Sequence, residues 1–146
     1  MEELLNSELK ITRFNVRVYG IVINSAHRVL LCRENHAGME MTKFPGGGLE
    51  LGEGPIQCLH REFKEELDID IEILDHFYTT GFFQQSAFIK TDQIISIYYK
   101  VKFKGEKDFD GIIKRNGIEF FWEEINESTE NKITFPIDKY VLKLLL

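Results

Sequence analysis

The sequence predicts a single α/β domain in which β-strands and two helices follow one another along the chain. Runs rich in β-branched and aromatic residues come before and after one amphipathic helical segment, and a second such segment comes near the carboxyl end. The 146 residues suit one domain, residues 1–146, which can bury a core without disulfides. Residues 1–10 form a short N-terminal extension in this division. We therefore expect one functional site.

The first strands precede an unusual glycine run. FNVRVYGIVIN (residues 14–24) and VLLCRE (residues 29–34) are separated by a short polar turn, which is typical of a β-hairpin. A polar, glycine-containing loop is expected from Asn35 to Thr42. Three consecutive glycines, Gly46 to Gly48, then follow KFP, and the backbone there must bend sharply or approach another group closely.

A helix is predicted from Pro55 to Leu67. Proline is favoured in the first turn of a helix, and apolar residues recur at Ile56, Leu59, Phe63 and Leu67, a spacing that marks one buried face. The bounds follow from the proline and from the last residue of this pattern.

The second half of the chain contains further strands and a terminal helix. DIEILDHFYTTGFF (residues 70–83) and QIISIYYKVKF (residues 93–103) are predicted strands joined by a polar loop, Gln84 to Asp92. Lys104 to Gly117 is a long polar loop, and GIEFFWEEI (residues 117–125) is a short strand. Pro136 begins a C-terminal helix whose apolar residues share a face.

Composition and charge exclude several classes of function. No apolar stretch approaches the roughly 18 residues that a membrane helix needs, and Met1 to Lys10 lacks the features of a secretory signal, so a cytoplasmic protein is expected. The net charge is −6 and no dense Lys/Arg stripe is present, which argues against binding to long nucleic acid. Cys32 and Cys58 are expected to be buried, reduced thiols.

An acidic protein that binds a small polyphosphate needs a cation between the two. Glu62, Glu65 and Glu66 lie at i, i+3 and i+4 on the predicted helix, opposite its buried face. Their mutual repulsion can be offset by Arg61 and, more strongly, by a hard divalent cation such as Mg²⁺. A bare cluster of this kind is usually a solvated acidic face, but here Glu53 and the glycine run come just before it.

These residues resemble the Nudix box, G-x5-E-x7-R-E-U-x-E-E-x-G-U. The match runs from Gly47 to Ile69, with Phe63 and Ile69 at the apolar U positions, and KFPGGGLELGE resembles the usual approach to the box. Asp68 stands where the family has glycine, at the end of the helix. Since aspartate tolerates the left-handed backbone better than most residues, we expect a modest stability cost and an intact site.

The resemblance implies a Nudix α/β/α sandwich, with a mixed β-sheet between helices, and a metal-dependent hydrolase. It implies Mg²⁺, with Mn²⁺ as a substitute, held by Glu62, Glu65, Glu66 and the backbone at Gly47, and it assigns catalysis to Glu53, Arg61, Glu62 and Glu66. The expected substrate is a small phosphorylated molecule, a nucleoside triphosphate or a nucleoside diphosphate linked to another group. Many Nudix proteins are dimers, so a homodimer stays open.

The general base stays open as well. Glu62 or Glu66 can serve, as can a loop carboxylate outside the box, for which the candidates are Glu106, Asp108 and Glu119, each more typical of plain surface charge. The four histidines are too scattered for a metal site, and Trp122 is expected to pack in the core. One or two of the aromatics are expected to contact substrate, from Phe44, Phe82, Phe83, Phe88, Tyr98 and Tyr99.

Two alternatives to hydrolysis remain. A catalytically silent Nudix domain that senses a nucleotide or nucleotide sugar would usually have lost box glutamates, and all of them are present here. An isopentenyl diphosphate isomerase would need further cysteine and histidine site residues that the sequence does not place. The loops do not identify a substrate within the family.

Overall fold

The computed structural model describes residues 10–105 and 109–146, so the predicted N-terminal extension lies almost wholly outside the described residues. The elements run in the order β1 (Arg13–Val22), β2 (Arg28–His36), β3 (Met39–Lys43), β4 (Gly46–Gly48), α1 (Pro55–Leu67), β5 (Ile71–Thr79), β6 (Asp92–Phe103), β7 (Ile113–Arg115), β8 (Ile118–Glu124), α2 (Glu127–Glu130) and α3 (Pro136–Leu145).

The strands form two four-stranded sheets. The first has the order β4-β1-β6-β5 and is mixed, because β1 and β6 are parallel while the outer pairs are antiparallel. The second has the order β3-β2-β8-β7 and is antiparallel throughout.

Two apolar clusters lie on opposite faces of these sheets. On β1, Val18 and Val22 belong to the cluster that α1 covers, whereas Tyr19 and Ile21 belong to the cluster that α3 covers. This alternation is expected for strands that are buried on both faces. The result is the α/β/α arrangement that the resemblance implies.

The bounds of α1 confirm the predicted helix. The backbone N–H of Gly54 donates to the side chain of Gln57 at 2.7 Å, and Pro55 fills the first helical position. The helix ends at Asp68, which has the left-handed φ of 55° expected for the residue that replaces the family glycine. Phe63 packs so closely on Gly20 that a Cβ at Gly20 would lie 2.7 Å from its ring.

The predicted hairpin between the first two strands is wrong. Ile23 and Val29 form an isolated bridge around the turn, but β1 then pairs with β6 while β2 pairs with β8 in the other sheet. A strand that is buried on both faces takes its neighbours from the tertiary fold, and proximity in sequence does not determine them.

Two predicted loops contain strands. Within Asn35 to Thr42, β2 and β3 form a hairpin whose turn residues, Ala37 and Gly38, both have positive φ. Alanine is a poor signal for such a turn, which explains the error. Within Lys104 to Gly117, β7 pairs with β8 through Asn116 and Gly117, and here the Asn-Gly signal was available in the sequence.

Candidate active site

The glycine strand β4 lies directly against the acidic helix. A Cβ built on Gly47 would lie 2.4 Å from Oε1 of Glu62, so only glycine leaves room for this carboxylate. Gly46 is equally restricted, because its φ is 152° and a Cβ there would lie 2.1 Å from the carbonyl oxygen of Val18. The close approach that the glycine run predicts is therefore made to a box glutamate.

Arg61 connects the glycine strand, the preceding loop and the helix. Its Nε and Nη2 donate to the two carboxylate oxygens of Glu53 at 3.0 and 2.6 Å, and Nη2 also donates to the carbonyl oxygen of Gly48 at 3.0 Å. Its Nη1 donates to Glu62 at 2.9 Å and to Glu65 at 3.3 Å. The planar guanidinium is suited to such paired contacts, and a lysine could not reproduce them.

Glu53 is held in its charged form. Its hydrogen bonds from Arg61, followed by one from the backbone N–H of Glu50, lower the pKa of the Glu53 carboxyl to about 2. Its side chain is only 14% exposed. Glu53 therefore fixes Arg61, and through Arg61 it orients Glu62 and Glu65.

Glu62 and Glu66 lie in contact with each other. Burial raises the pKa of the Glu66 carboxyl to about 7, Lys43 opposes the shift, and the neighbouring carboxylates of Glu62 and Glu34 add to it. Two neighbouring carboxylates repel each other, and a shared proton or a bound cation relieves this repulsion. The pair is therefore suited to bind a cation.

Glu65 is oriented differently. Its side chain is 60% exposed, whereas that of Glu62 is only 12% exposed, although both carboxylates accept from Arg61. Within residues 10–105 and 109–146, no three His, Cys, Asp or Glu side chains are arranged so that they could hold a metal ion. The convergence of all three carboxylates on one cation stays a prediction: Glu62 and Glu65 both accept from Arg61, and Glu66 has Lys43, Glu62 and Glu34 as its charged neighbours.

Two cations that sequence reasoning missed lie beside these carboxylates. Lys43 is only 5% exposed, and its ammonium lies 3.3 Å from the carboxylate of Glu34 and close enough to Glu66 to attract it. Arg17 lies on β1 opposite Gly48 and donates to the hydroxyl of Tyr19 at 2.7 Å. A cation in a strand is usually solvent-exposed, so neither residue gave a signal in the sequence.

A cavity of about 340 Å³ opens next to this cluster. Arg17, Glu34 and Lys43 line part of its wall, and aromatic side chains, including Phe82, Phe88 and Phe135, line another part. Its volume is within the range of small-molecule sites, and so is its combination of an apolar lining with a few charged groups.

Asp138 is a further buried acid in the cavity wall that sequence reasoning missed. It accepts a hydrogen bond from the hydroxyl of Tyr98. Burial raises the pKa of its carboxyl to about 6, although Tyr98, Lys43 and Arg17 oppose the shift.

The base candidates outside the box and the predicted aromatic residues lie in different environments. Glu119 forms ion pairs with Arg33 and Lys114, as expected for surface charge, whereas Glu106 and Asp108 lie outside the described residues. Of the six aromatic residues predicted as substrate contacts, Phe82 and Phe88 line the cavity. Phe44 and Tyr98 are fully buried in the core.

The predictions for Trp122 and for the two cysteines are confirmed by the packing. Trp122 packs against Phe103 and Phe109, and its ring N–H donates to the carbonyl oxygen of Phe109 at 2.8 Å. Cys32 and Cys58 are buried free thiols.

Comparison with known proteins identifies the domain. The sequence model of the NUDIX domain matches residues 13–145, which is nearly the whole chain. The chain belongs to the NUDIX family. This confirms the family predicted from Gly47 to Ile69, and it supports the prediction of a Nudix pyrophosphohydrolase.

One curated relative of this Nudix chain matches over a short segment. The chain is 39% identical over 64 residues to an RNA pyrophosphohydrolase of Halorhodospira halophila (strain DSM 244 / SL1). The segment covers 42% of this chain and 34% of that relative, so about a third of the relative's length is matched.

Solved structures with the same fold cover most of the chain. A MutT protein from Methanosarcina mazei Go1 has a TM-score of 0.71 at 18% identity and covers 91% of this chain and 93% of its own. A NUDIX hydrolase from Nitrosomonas europaea has a TM-score of 0.70 at 20% identity, covering 88% and 86%. The dihydroneopterin triphosphate pyrophosphohydrolase of E. coli has a TM-score of 0.70 at 15% identity, covering 91% and 97%. These likenesses establish the Nudix fold.

No helix within residues 10–105 and 109–146 is long and apolar enough to cross a membrane.

Proposed function

We propose that this protein is a metal-dependent hydrolase that cleaves a phosphoanhydride bond in a nucleoside triphosphate or in a nucleoside diphosphate linked to another group. One observation carries the proposal. Glu62 packs against Gly47 of the glycine strand, and Glu66 lies near Lys43, which lines the cavity together with Arg17. Phosphoanhydride hydrolysis needs this combination, because a cation and cationic side chains must offset the charge of the diphosphate.

The residues present fit Mg²⁺. Carboxylate oxygens are its preferred protein ligands, and the space that a Cβ at Gly47 would fill is kept open for the carboxylate of Glu62. Glu62, Glu65 and Glu66 would hold the ion, with a backbone carbonyl of the glycine strand as a further ligand. When bound, Mg²⁺ or Mn²⁺ supplies neutralisation of the diphosphate, polarisation of a phosphoryl oxygen and activation of the attacking water.

The chain's own groups orient the reaction. Glu53 holds Arg61, and Arg61 holds Glu62 and the Gly48 carbonyl, so these two are positioning residues. Glu62 or Glu66 accepts the proton of the attacking water, since either carboxylate can lie within hydrogen-bond reach of it. Lys43 and Arg17 add positive charge on the cavity side, where the phosphates of a substrate would enter.

The activities of two related proteins, one of which acts on a triphosphate, guide the choice of substrates. One relative is an RNA pyrophosphohydrolase and one structural neighbour is a dihydroneopterin triphosphate pyrophosphohydrolase. A substrate panel should therefore contain nucleoside triphosphates, dihydroneopterin triphosphate, a 5′-triphosphorylated oligoribonucleotide, ADP-ribose and dinucleoside polyphosphates.

The test is phosphate release from this panel, coupled to a pyrophosphatase and a phosphatase, with Mg²⁺ or Mn²⁺. We expect turnover of one class of compound, and a loss of about 100-fold or more in Glu62→Gln and Glu65→Gln, because each replaces a charged ligand by a neutral one. Glu72→Gln is the matched control. Glu72 lies on β5, at the edge of the sheet opposite β4, and pairs with Lys102, so its replacement should leave turnover unchanged.

Inactivity of the wild type over the whole panel, together with nucleotide binding by calorimetry, would contradict hydrolysis and favour the sensing domain. Activity that survives in both box variants would contradict the assigned carboxylates.

A further inference from the structure

The guanidinium of Arg17 has an outer edge without a partner. Its Nε donates to the hydroxyl of Tyr19 at 2.7 Å. In the part of the chain that the structure describes, Nη1 and Nη2 donate to no acceptor, and no carboxylate forms an ion pair with Arg17. The side chain is partly exposed and lines the cavity, so a bound molecule can reach it. Both terminal amino groups of this cation are therefore available to a ligand.

The free edge of Arg17 is held in one orientation. Tyr19 is almost fully buried, and its ring stacks on that of Tyr98 with 5.2 Å between the ring centroids. The hydroxyl of Tyr98 in turn donates to Asp138 of α3. Because Nε is bonded to this buried group, Nη1 and Nη2 remain as a parallel pair of donors. Such a pair matches two oxygens of one phosphate group.

Lys43, the other cation of the cavity wall, differs from Arg17 in this respect. The ammonium of Lys43 lies 3.3 Å from the carboxylate of Glu34, so part of its charge is already offset. Arg17 is attracted to Glu34 and Glu62 only over longer distances. An anionic ligand therefore gains more at Arg17, where it displaces no existing ion pair.

Arg17 lies at the boundary between the box carboxylates and the cavity. A Cβ on Gly47 would meet Glu62. On the next residue, Gly48, a Cβ would lie 3.6 Å from Nη1 of Arg17. Successive residues of a strand face opposite sides, so Glu62 and Arg17 flank the edge strand β4 from its two faces. A substrate that has its diphosphate at the carboxylates and its nucleoside in the cavity would pass Arg17 with the phosphate that joins the two.

We propose that Nη1 and Nη2 of Arg17 bind the phosphate group next to the nucleoside, and that they do so without metal. The proposal rests on the proposed function, since it takes the cavity as the site of the nucleoside. A nucleoside monophosphate is the smallest ligand that contains both parts. The protein should therefore bind nucleoside monophosphates more tightly than nucleosides when no divalent cation is present.

The test is calorimetric binding, in EDTA, of AMP, GMP, CMP and UMP, each compared with its own nucleoside. In the wild type, at least one monophosphate should bind about tenfold or more tightly than its nucleoside, because two charge-assisted hydrogen bonds form. Arg17→Gln should bring this ratio of affinities close to one and leave the affinity for the nucleoside unchanged. Arg17→Lys keeps the charge but loses the paired donors, so its ratio should be intermediate.

Arg115→Gln is the matched control, because it removes the same charge from an exposed position on β7, in the other sheet. Its ratio should equal that of the wild type. Tyr19→Phe tests the anchor, because it removes the acceptor of Nε. It should lower the ratio several-fold, which makes Tyr19 a positioning residue. Nucleoside binding by each variant shows that its cavity is still folded.

A wild type that binds no monophosphate, or binds each no more tightly than its nucleoside, would overturn the proposal. An Arg17→Gln variant that keeps the wild-type ratio would do the same. Neither outcome depends on hydrolysis, since a monophosphate contains no phosphoanhydride bond. Turnover of the substrate panel without a monophosphate preference would leave the proposed function standing and overturn the role of Arg17. An inactive protein that binds monophosphates through Arg17 would contradict the proposed function and support this role.

Discussion

Gly47 is the residue at which a single added methyl group would most directly disturb the carboxylates. The group that its Cβ would strike is the far end of the flexible Glu62 side chain, which can move aside at little cost to the fold. A displaced Glu62 would lose its hydrogen bond from Arg61 and its place beside Glu66. Activity and stability should therefore respond very differently at this position.

Gly47→Ala should lower kcat/KM by about 10- to 100-fold while the melting temperature changes little, because the orientation of a metal ligand is lost and the core is not. Gly48→Ala is the comparison. A Cβ there would meet only Nη1 of Arg17 at 3.6 Å, an ordinary contact, so its loss should be several times smaller. Equal losses in the two variants would show that the contact with Glu62 does not matter.

At the scale of elements, one buried pair joins α3 to the central strand β6. Asp138, in the first turn of α3, accepts from the hydroxyl of Tyr98, and both side chains are almost fully buried. Burial raises the pKa of the Asp138 carboxyl from 3.8 to about 6, so the folded protein binds this proton more tightly than the unfolded chain does. The protonated pair stabilises the fold at low pH, and this contribution is lost as the pH rises through about 6.

Asp138→Asn should remove that dependence, because an amide oxygen still accepts from Tyr98 and carries no charge. Relative to the wild type, the variant should gain stability as the pH rises from 4 to 7, by at most about 3 kcal/mol, which corresponds to the pKa difference. Urea unfolding of both proteins at each pH measures the difference between their free energies of unfolding. Parallel profiles would contradict the prediction, and so would a gap that shrinks with rising pH.

At the scale of the whole molecule, two apolar clusters on opposite faces of the sheets hold the fold together, and neither contains a box glutamate. The protein should therefore fold without metal. Metal binding would still stabilise it, because an ion that binds only the folded state shifts the unfolding equilibrium.

Addition of Mg²⁺ at about 100 times its dissociation constant should raise the melting temperature of the wild type by roughly 5 to 10 °C. Glu62→Gln should show little of this increase. KCl at matched ionic strength separates specific binding from screening of the acidic surface. If Mg²⁺ stabilises Glu62→Gln as much as the wild type, the ion binds elsewhere.

The sequence predicted what depends on local spacing. The bounds of α1 and the left-handed backbone at Asp68 follow from periodicity and from residue chemistry. The neighbours of β1 and β2 could not be predicted, because both strands are buried on two faces and their pairing is decided by distant segments.

The same limit applies to the site. Lys43 becomes a neighbour of Glu66, and Asp138 a partner of Tyr98, only when segments that are distant in the sequence have folded together. Neither residue type is distinctive in its own part of the sequence. Box residues, in contrast, lie on one helix and its approach, where spacing fixes their relations.

The glycine strand has a consequence for solubility. β4 is the edge strand of the mixed sheet, and it contains only the three residues Gly46 to Gly48. A short edge offers few backbone groups to a strand of another molecule, and glycine, which has a low preference for strands, makes such pairing weaker still. The residues that give Glu62 its space thus also protect the sheet against edge-to-edge aggregation.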